Sequence, residues 1–189
     1  MTTLTAPILE LPEQFRPLRR DEFMQLVDLG VFGEERVELV GGVLIRMAPQ
    51  KPPHAGVVIM LNEVLSEQND RRYTIACQGP IELDEVSQPL PDFMILPRDD
   101  YRLANPADAL MIIEVSDSSL RFDLGEKARR YAMAGTPLYW VIDVNGKVVH
   151  VHAGPREDGS WVNIQQVRRG ALDAGELGLT VDLDVLLGF

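Results

Sequence analysis

Two acids and one amine are placed where they could do chemistry together. Asp92 opens a short apolar run, Phe93-Met-Ile-Leu96, and Glu114 closes another, Leu110-Met-Ile-Ile113. Each run is too short for a free-standing helix and suits a buried strand. Strands consecutive in sequence are neighbours about two-thirds of the time. If these two pair antiparallel, the start of the first lies beside the end of the second, and Asp92 faces Glu114. Two carboxylates so placed repel unless a cation sits between them or one keeps its proton. Hard divalent cations such as Mg²⁺ bind through one or two carboxylates, with waters and phosphate oxygens completing the shell. The pair therefore suggests a Mg²⁺ site for phosphoester chemistry. The competing reading is two separate, solvated strand ends. Lys127 supplies what the pair lacks, a cation that offsets charge developing on a phosphate. Its bland alternative is an i,i+4 ion pair with Asp123, worth about 0.3–0.5 kcal/mol.

Other polar residues carry weaker signals. Glu38 lies inside the apolar run Val37-Glu-Leu-Val40, as a third acid of the site or as the solvent face of a hairpin. His54 follows Pro49-Gln-Lys-Pro-Pro53 and could touch a phosphate or cap its helix; the cap is preferred. Tyr131, one turn beyond Lys127, reads as core. His150 and His152 share a strand face and could hold Zn²⁺, but no third ligand is evident, so they read as surface residues. Cys77 reads as buried filler in an apolar strand. Ser116, Ser118 and Ser119 lack a Gly-x-Ser-x-Gly frame, which disfavours a serine nucleophile. Neither a Walker loop nor Gly-x-Gly-x-x-Gly occurs, which disfavours a nucleotide cofactor.

The elements that must position these residues centre on Leu110 to Asp143. This stretch reads as strand, loop, helix, strand. Asp123-Leu-Gly-Glu126 has the form of a capping box at the helix start. Gly135 suits a left-handed C-terminal residue, and Pro137 prevents continuation. Such a crossover makes its two strands parallel neighbours. Ligands favour the carboxyl ends of strands near the following helix N-terminus, which is where Glu114 and Lys127 meet.

Before this unit, residues 1–18 read as an extended, Pro-punctuated arm. Asp21 is expected to cap a short helix ending near Gly30. Two β-prone runs, 36–40 and 43–47, flank the turn signal Gly41-Gly42. From His54, apolar residues recur with helical period through Leu65. Strands are expected at 73–77 and 80–83, with loops at 84–90 and 98–108. After Asp143, Asn145-Gly146 signals a hairpin into strands at 148–152 and 160–167. The tail reads as a strand end and a helical turn burying Leu186 and Leu187. Residues 1–189 thus form a single mixed α/β domain, a central sheet with a hairpin at either end.

Composition bounds the function. The 189 residues are 46% hydrophobic and 25% charged, ordinary for a soluble globular protein. No apolar run approaches the roughly 20 residues of a membrane span. The N-terminus has neither the basic start nor the apolar core of a secretory signal. With Cys77 the single cysteine, no internal disulfide is possible, and a cytoplasmic location is expected. The net charge of −11 opposes non-specific attraction to nucleic acid or anionic membrane. A local cationic cluster can outweigh it, since screening limits exposed charges to about 8 Å. Its candidates are Lys51, Arg71, Arg72, Arg121, Lys127, Arg129 and Arg130; scattered solubilising charges are the alternative.

A family resemblance adds to this reading. Pro91-Asp92, Glu114-Val115, Asp123-x-Gly125-Glu126-Lys127 and Tyr131-Ala-x-Ala-Gly-x-Pro137-x-Tyr-Trp140-x-x-Asp143 resemble the putative restriction endonuclease family, a bacterial branch of the PD-(D/E)XK nuclease superfamily. Glu38-Leu39 with Gly42, and the prolines before His54, fit as well. The resemblance spans roughly residues 20 to 189 and implies a restriction-endonuclease-like fold, a central mixed sheet flanked by helices. It implies Asp92 and Glu114 as ligands of Mg²⁺ (or Mn²⁺), Glu38 as a further acid that orients metal or water, and Lys127 as the catalytic lysine. The superfamily's usual lysine stands two residues after the second acid, where this chain has Ser116; Lys127 on the following helix takes its part. Val43 replaces an acid common after the family's glycine. The expected function is a metal-dependent DNA endonuclease leaving a 5′-phosphate and working as a homodimer. The alternative is a nuclease-fold scaffold that binds protein or nucleic acid without cutting.

Overall fold

The computed structural model describes residues 14–98 and 108–188. Most of the N-terminal arm and of the loop before Leu110 lie outside the described residues. In chain order the elements are α1 (Arg20–Asp28), β1 (Val37–Val40), β2 (Val43–Arg46), α2 (Pro52–Gln68), β3 (Tyr73–Cys77) and β4 (Phe93–Pro97). Then come β5 (Met111–Ser116), α3 (Leu120–Phe122), a π turn (Asp123–Lys127), α4 (Ala128–Met133) and β6 (Leu138–Asp143). The chain closes with β7 (Val148–Pro155), β8 (Trp161–Val167), β9 (Ala171–Asp173), a 3₁₀ turn (Gly175–Leu177), β10 (Thr180–Asp182) and α5 (Leu183–Leu186).

Six strands form one mixed sheet in the order β3-β4-β5-β6-β7-β8. Among the described residues only β5 and β6 pair in parallel, joined by the helical crossover. The apolar runs of β4, β5 and β6 are buried on both faces, which explains why they do not alternate with polar residues. One face packs on α2 and the C-terminal tail: Leu61 and Leu65 meet Phe93, Ile113 and Trp140, with Leu183 and Leu186. The other packs on α4: Ala128, Tyr131 and Ala132 meet Ile112, Tyr139 and Val141. Two small hairpins, β1–β2 and β9–β10, stand outside the main sheet. No helix among the described residues is long and apolar enough to cross a membrane.

Several local expectations are corrected. Residues 80–83 do not form a strand. Pro80 has no N–H to donate, and Ile81 and Leu83 donate to Pro89 and Ser87 of their own loop. Asp21 does not cap α1; Arg19 precedes the helix, and its N–H donates to Glu22 Oε2 at 3.0 Å. Helix α2 begins at Pro52, ahead of His54, because proline's missing N–H costs nothing in a first turn. The β6–β7 connection is a four-residue turn rather than a two-residue one. Asp143 Oδ1 accepts from the Gly146 N–H at 2.7 Å, and Lys147 takes the positive φ of 48°. Gly41-Gly42 does form the two-residue turn, with φ of 63° and 78°.

Candidate active site

Glu114 does not end its strand, as β5 runs on to Ser116, but it lies one residue beyond the ladder to the neighbouring β4, which pairs antiparallel in the register Phe93↔Ile113. This puts Asp92 at the same edge, where its Oδ2 accepts from the Val115 N–H at 2.9 Å. The juxtaposition expected from strand order is therefore present.

The amine of Lys127 arrives from the helix side. Its Nζ lies 3.0 Å from Glu114 Oε1 and 3.0 Å from Glu38 Oε2. Asp123 Oδ1 lies farther out, at 3.9 Å. All four side chains are buried. Lys127 therefore does far more than pair with Asp123. Burial works against its charge, but Glu114, Glu38 and Asp123 together outweigh burial and hold its pKa above the ordinary lysine value. Burial drives Glu114 well above the usual carboxylate range, with Lys127 opposing and the neighbouring acids adding to the rise.

Glu38 is delivered by the β1–β2 hairpin. The hairpin docks on the loop before Asp92: Gln88 N donates to Leu39 O at 2.7 Å, and Gly42 N to Val86 O at 2.7 Å. Glu38 is buried and faces the other acids, so it is not the solvent face of a hairpin. Its Oε2 also accepts from the Leu90 N–H at 3.0 Å.

His54 reaches in from the first turn of α2, with Nε2 3.3 Å from Asp92 Oδ2. It does not cap its helix; Lys51 precedes α2 and makes no side-chain cap. The contact with Asp92 raises the His54 pKa, with burial opposing. Tyr131 is core, as expected, and its hydroxyl also donates to Glu114 Oε1 at 3.0 Å.

Asp123 is no N-cap. Ser119 takes that place, and Asp123 opens a π turn that buries both it and Lys127. Its Oδ2 accepts from Ser116 Oγ at 2.6 Å and Ser119 Oγ at 2.5 Å. Burial raises its pKa, with Lys127 and the two hydroxyls opposing. Glu126, expected to reach back to the cap, instead pairs with Arg129 and Arg130.

A cavity of about 280 Å³ is lined by the buried Glu38, His54, Asp92, Glu114, Asp123 and Lys127. Its rim carries Arg36, Arg46 and Lys51. Arg46 and Lys51 are exposed and lean on Glu35 and Asp117, at 3.7 and 3.1 Å. Of the cationic candidates, the structure brings Lys51 and Lys127 to this cavity and adds Arg36 and Arg46. Arg130 is held by Glu126 and Asp84, and Arg71 and Arg72 sit just before β3, at the end away from Asp92. His152 is buried against Tyr139 and Trp161 rather than on the surface. Cys77 is exposed rather than buried, on β3, which is the edge strand of the sheet among the described residues.

Carboxylate oxygens are the donor type that hard divalent cations take. Four buried acids, Glu38, Asp92, Glu114 and Asp123, line one cavity with the buried Lys127, so carboxylate oxygens are concentrated there. Among the described residues, both donors on Asp92 Oδ2 leave Oδ1 with only Gln78 Nε2, at 3.5 Å. Glu114 Oε2 has no hydrogen bond among the described residues, since both of its donors go to Oε1. Among those residues no three His, Cys, Asp or Glu side chains form a ready ligand cluster, and the ammonium of Lys127 lies between Glu38 and Glu114.

Comparison with known proteins agrees with this architecture. A solved structure described as a putative nuclease belonging to DUF820, from Anabaena variabilis ATCC 29413, aligns with a TM-score of 0.70 and 16% identity. The alignment covers 91% of this chain and 98% of that one, and shows the fold. The type IIG restriction endonuclease BpuSI aligns with a TM-score of 0.35 and 17% identity, over 53% of this chain and 11% of that one. No curated protein matches the sequence. The family model Uma2, described as "Putative restriction endonuclease", matches residues 20–186, nearly the full length, so the chain belongs to that family.

Proposed function

We propose that the protein is a metal-dependent DNA endonuclease, with Asp92 and Glu114 as metal ligands, Glu38 as a further acid and Lys127 as the catalytic lysine. One observation carries the reading: a lysine ammonium 3.0 Å from two buried acids, delivered by separate elements to one cavity with Asp92. A Mg²⁺ or Mn²⁺ ion held there would polarise the scissile phosphate and acidify a bound water. The chain's own residues do the rest. Lys127, kept protonated by its acids, offsets charge gathering on the phosphate oxygens. Val115 N–H and His54 fix the Asp92 carboxylate. Arg36, Arg46 and Lys51 receive the flanking phosphates at the rim. The single cysteine suits a reducing cytoplasm. A homodimer, tested by light scattering, would present two such cavities to the two strands of a duplex.

The test is incubation of supercoiled plasmid with the protein and Mg²⁺ or Mn²⁺. Nicking is expected, and Asp92→Ala is expected to lower its rate by about 10²-fold or more, because losing a ligand weakens the hold on the ion that would stabilise transition-state charge. Nicking that persists at the wild-type rate in Asp92→Ala overturns the assignment. DNA bound but uncut by the wild type would favour the non-cleaving scaffold.

A further inference from the structure

Lys127 shares its two nearest partners with the proposed cation. Glu114 Oε1 and Glu38 Oε2, each 3.0 Å from Nζ, belong to the proposed metal ligand Glu114 and to the further acid Glu38 that orients the metal or its water. A divalent ion drawing on those carboxylates repels the ammonium and weakens their hold on it. The amine then needs an acid that faces it without belonging to the metal.

Asp123 has that geometry. Its Oδ1 lies 3.9 Å from Lys127 Nζ. Its Oδ2 is taken by the hydroxyls of Ser116 and Ser119, at 2.6 and 2.5 Å. Its backbone carbonyl accepts from Tyr139 OH at 2.9 Å and from the Ala128 N–H, which closes the π turn. Such turns are rare and occur frequently at functional sites. An aspartate this buried is costly unless it is paired and hydrogen-bonded, and its partners here are two hydroxyls and one amine. Ser116 stands where the resemblance places the superfamily's lysine. Here that position holds the acid that faces the relocated amine.

We propose that Asp123, braced by Ser116 and Ser119, is a positioning residue that keeps Lys127 in the site when a divalent cation engages Glu114 and Glu38. The inference rests on the metal-dependent reading above and concerns the amine, so it is testable without DNA. Reductive methylation of the full-length protein, followed by peptide mass mapping, reads the accessibility of the Lys127 amine with and without Mg²⁺. In the wild type it stays protected in both conditions. In Asp123→Asn it stays protected without Mg²⁺, where Glu38 and Glu114 still hold it, and is labelled several-fold faster with Mg²⁺. The double variant Ser116→Ala with Ser119→Ala keeps the carboxylate and removes its braces. It shows the same change to a lesser degree, and carries the test if Asp123→Asn does not fold. In cleavage assays both variants lower kcat and leave KM unchanged, because neither touches the rim. Equal protection of Lys127 in wild type and variants with Mg²⁺ present overturns the proposal. So does labelling of Asp123→Asn that is already fast without Mg²⁺, which would make Asp123 a general packing residue. A wild type that cuts no DNA sinks the nuclease reading, while the labelling pattern still decides for or against Asp123.

Discussion

At the scale of single residues, the site is held by one buried ammonium among buried carboxylates. Removing one partner of such a cluster is costly, about 3–5 kcal/mol, because the remaining charges stay buried without compensation. Lys127→Met is therefore expected to lower the melting temperature sharply in metal-free buffer. Mg²⁺ should then restore stability more in this variant than in the wild type, since a ligand that binds only the folded state stabilises it by mass action. Paired melts with and without Mg²⁺ read both effects. His152 makes a separate prediction about pH. Burial lowers its folded pKa, with His150 adding to the shift. The unfolded chain takes up the proton near its ordinary value of about 6.5, so below that pH the unfolded state binds more protons and stability falls with acidification. His54 works in the opposite sense: its folded pKa is raised, so its contribution is present below about 6.5 and lost as pH rises through the folded value. His152→Phe keeps ring contacts with Tyr139 and Trp161 and removes the titration. Its melting temperature should drop less than that of the wild type between about pH 7 and pH 5.

At the scale of elements, the β1–β2 hairpin decides whether Glu38 reaches the site. Its turn depends on Gly42, which has a φ of 78° and is packed so closely on Pro17 that an added Cβ would collide with it. A left-handed residue with a side chain costs about 1–2 kcal/mol before any collision is counted. Gly42→Ala should lower stability by at least that much in denaturant unfolding, and should lower cleavage as well because Glu38 shifts with the hairpin. A loss of stability with full activity would show that the hairpin does not position Glu38. The crossover from β5 to β6 was the most legible element, because its signals are local. The apolar runs, Gly135 with a φ of 80° and Pro137 all acted as their chemistry predicts. Asp123 misled for a local reason too. Asp-x-x-Glu reads identically as a capping box and as the opening of a π turn, and only the hydroxyls of Ser116 and Ser119 decide between them.

At the scale of the whole molecule, a chain with net charge −11 places three cations, Arg36, Arg46 and Lys51, around one cavity. If this rim takes phosphates, replacing all three with glutamine should weaken DNA binding across sequences. The slope of log K against log salt should fall by about 0.9 for each phosphate no longer neutralised, or about 2.7 for three, as measured by fluorescence anisotropy in Ca²⁺. An unchanged slope would place the DNA elsewhere. The same substitutions at Arg71, Arg72 and Arg98, away from the cavity, serve as the control and should leave the slope unaltered.

Much of this arrangement was determined by the sequence alone. The strand–helix–strand crossover, the meeting of Asp92 with Glu114 where β4 adjoins β5, and the approach of Lys127 all follow from short-range pattern and strand order. Those depend on hydrophobic period and chain direction, which the residues state directly. The tertiary structure alone decided that His54 contacts Asp92, that Glu38 turns inward, that Tyr131 reaches Glu114, and that Arg36 and Arg46 guard the rim. The Glu38 and His54 contacts join elements far apart in the chain, while that of Tyr131 depends on how α4 settles on its own sheet. Their geometry is fixed by how helices and hairpins settle on the two faces of a sheet, and side-chain direction at such a junction has no short-range code.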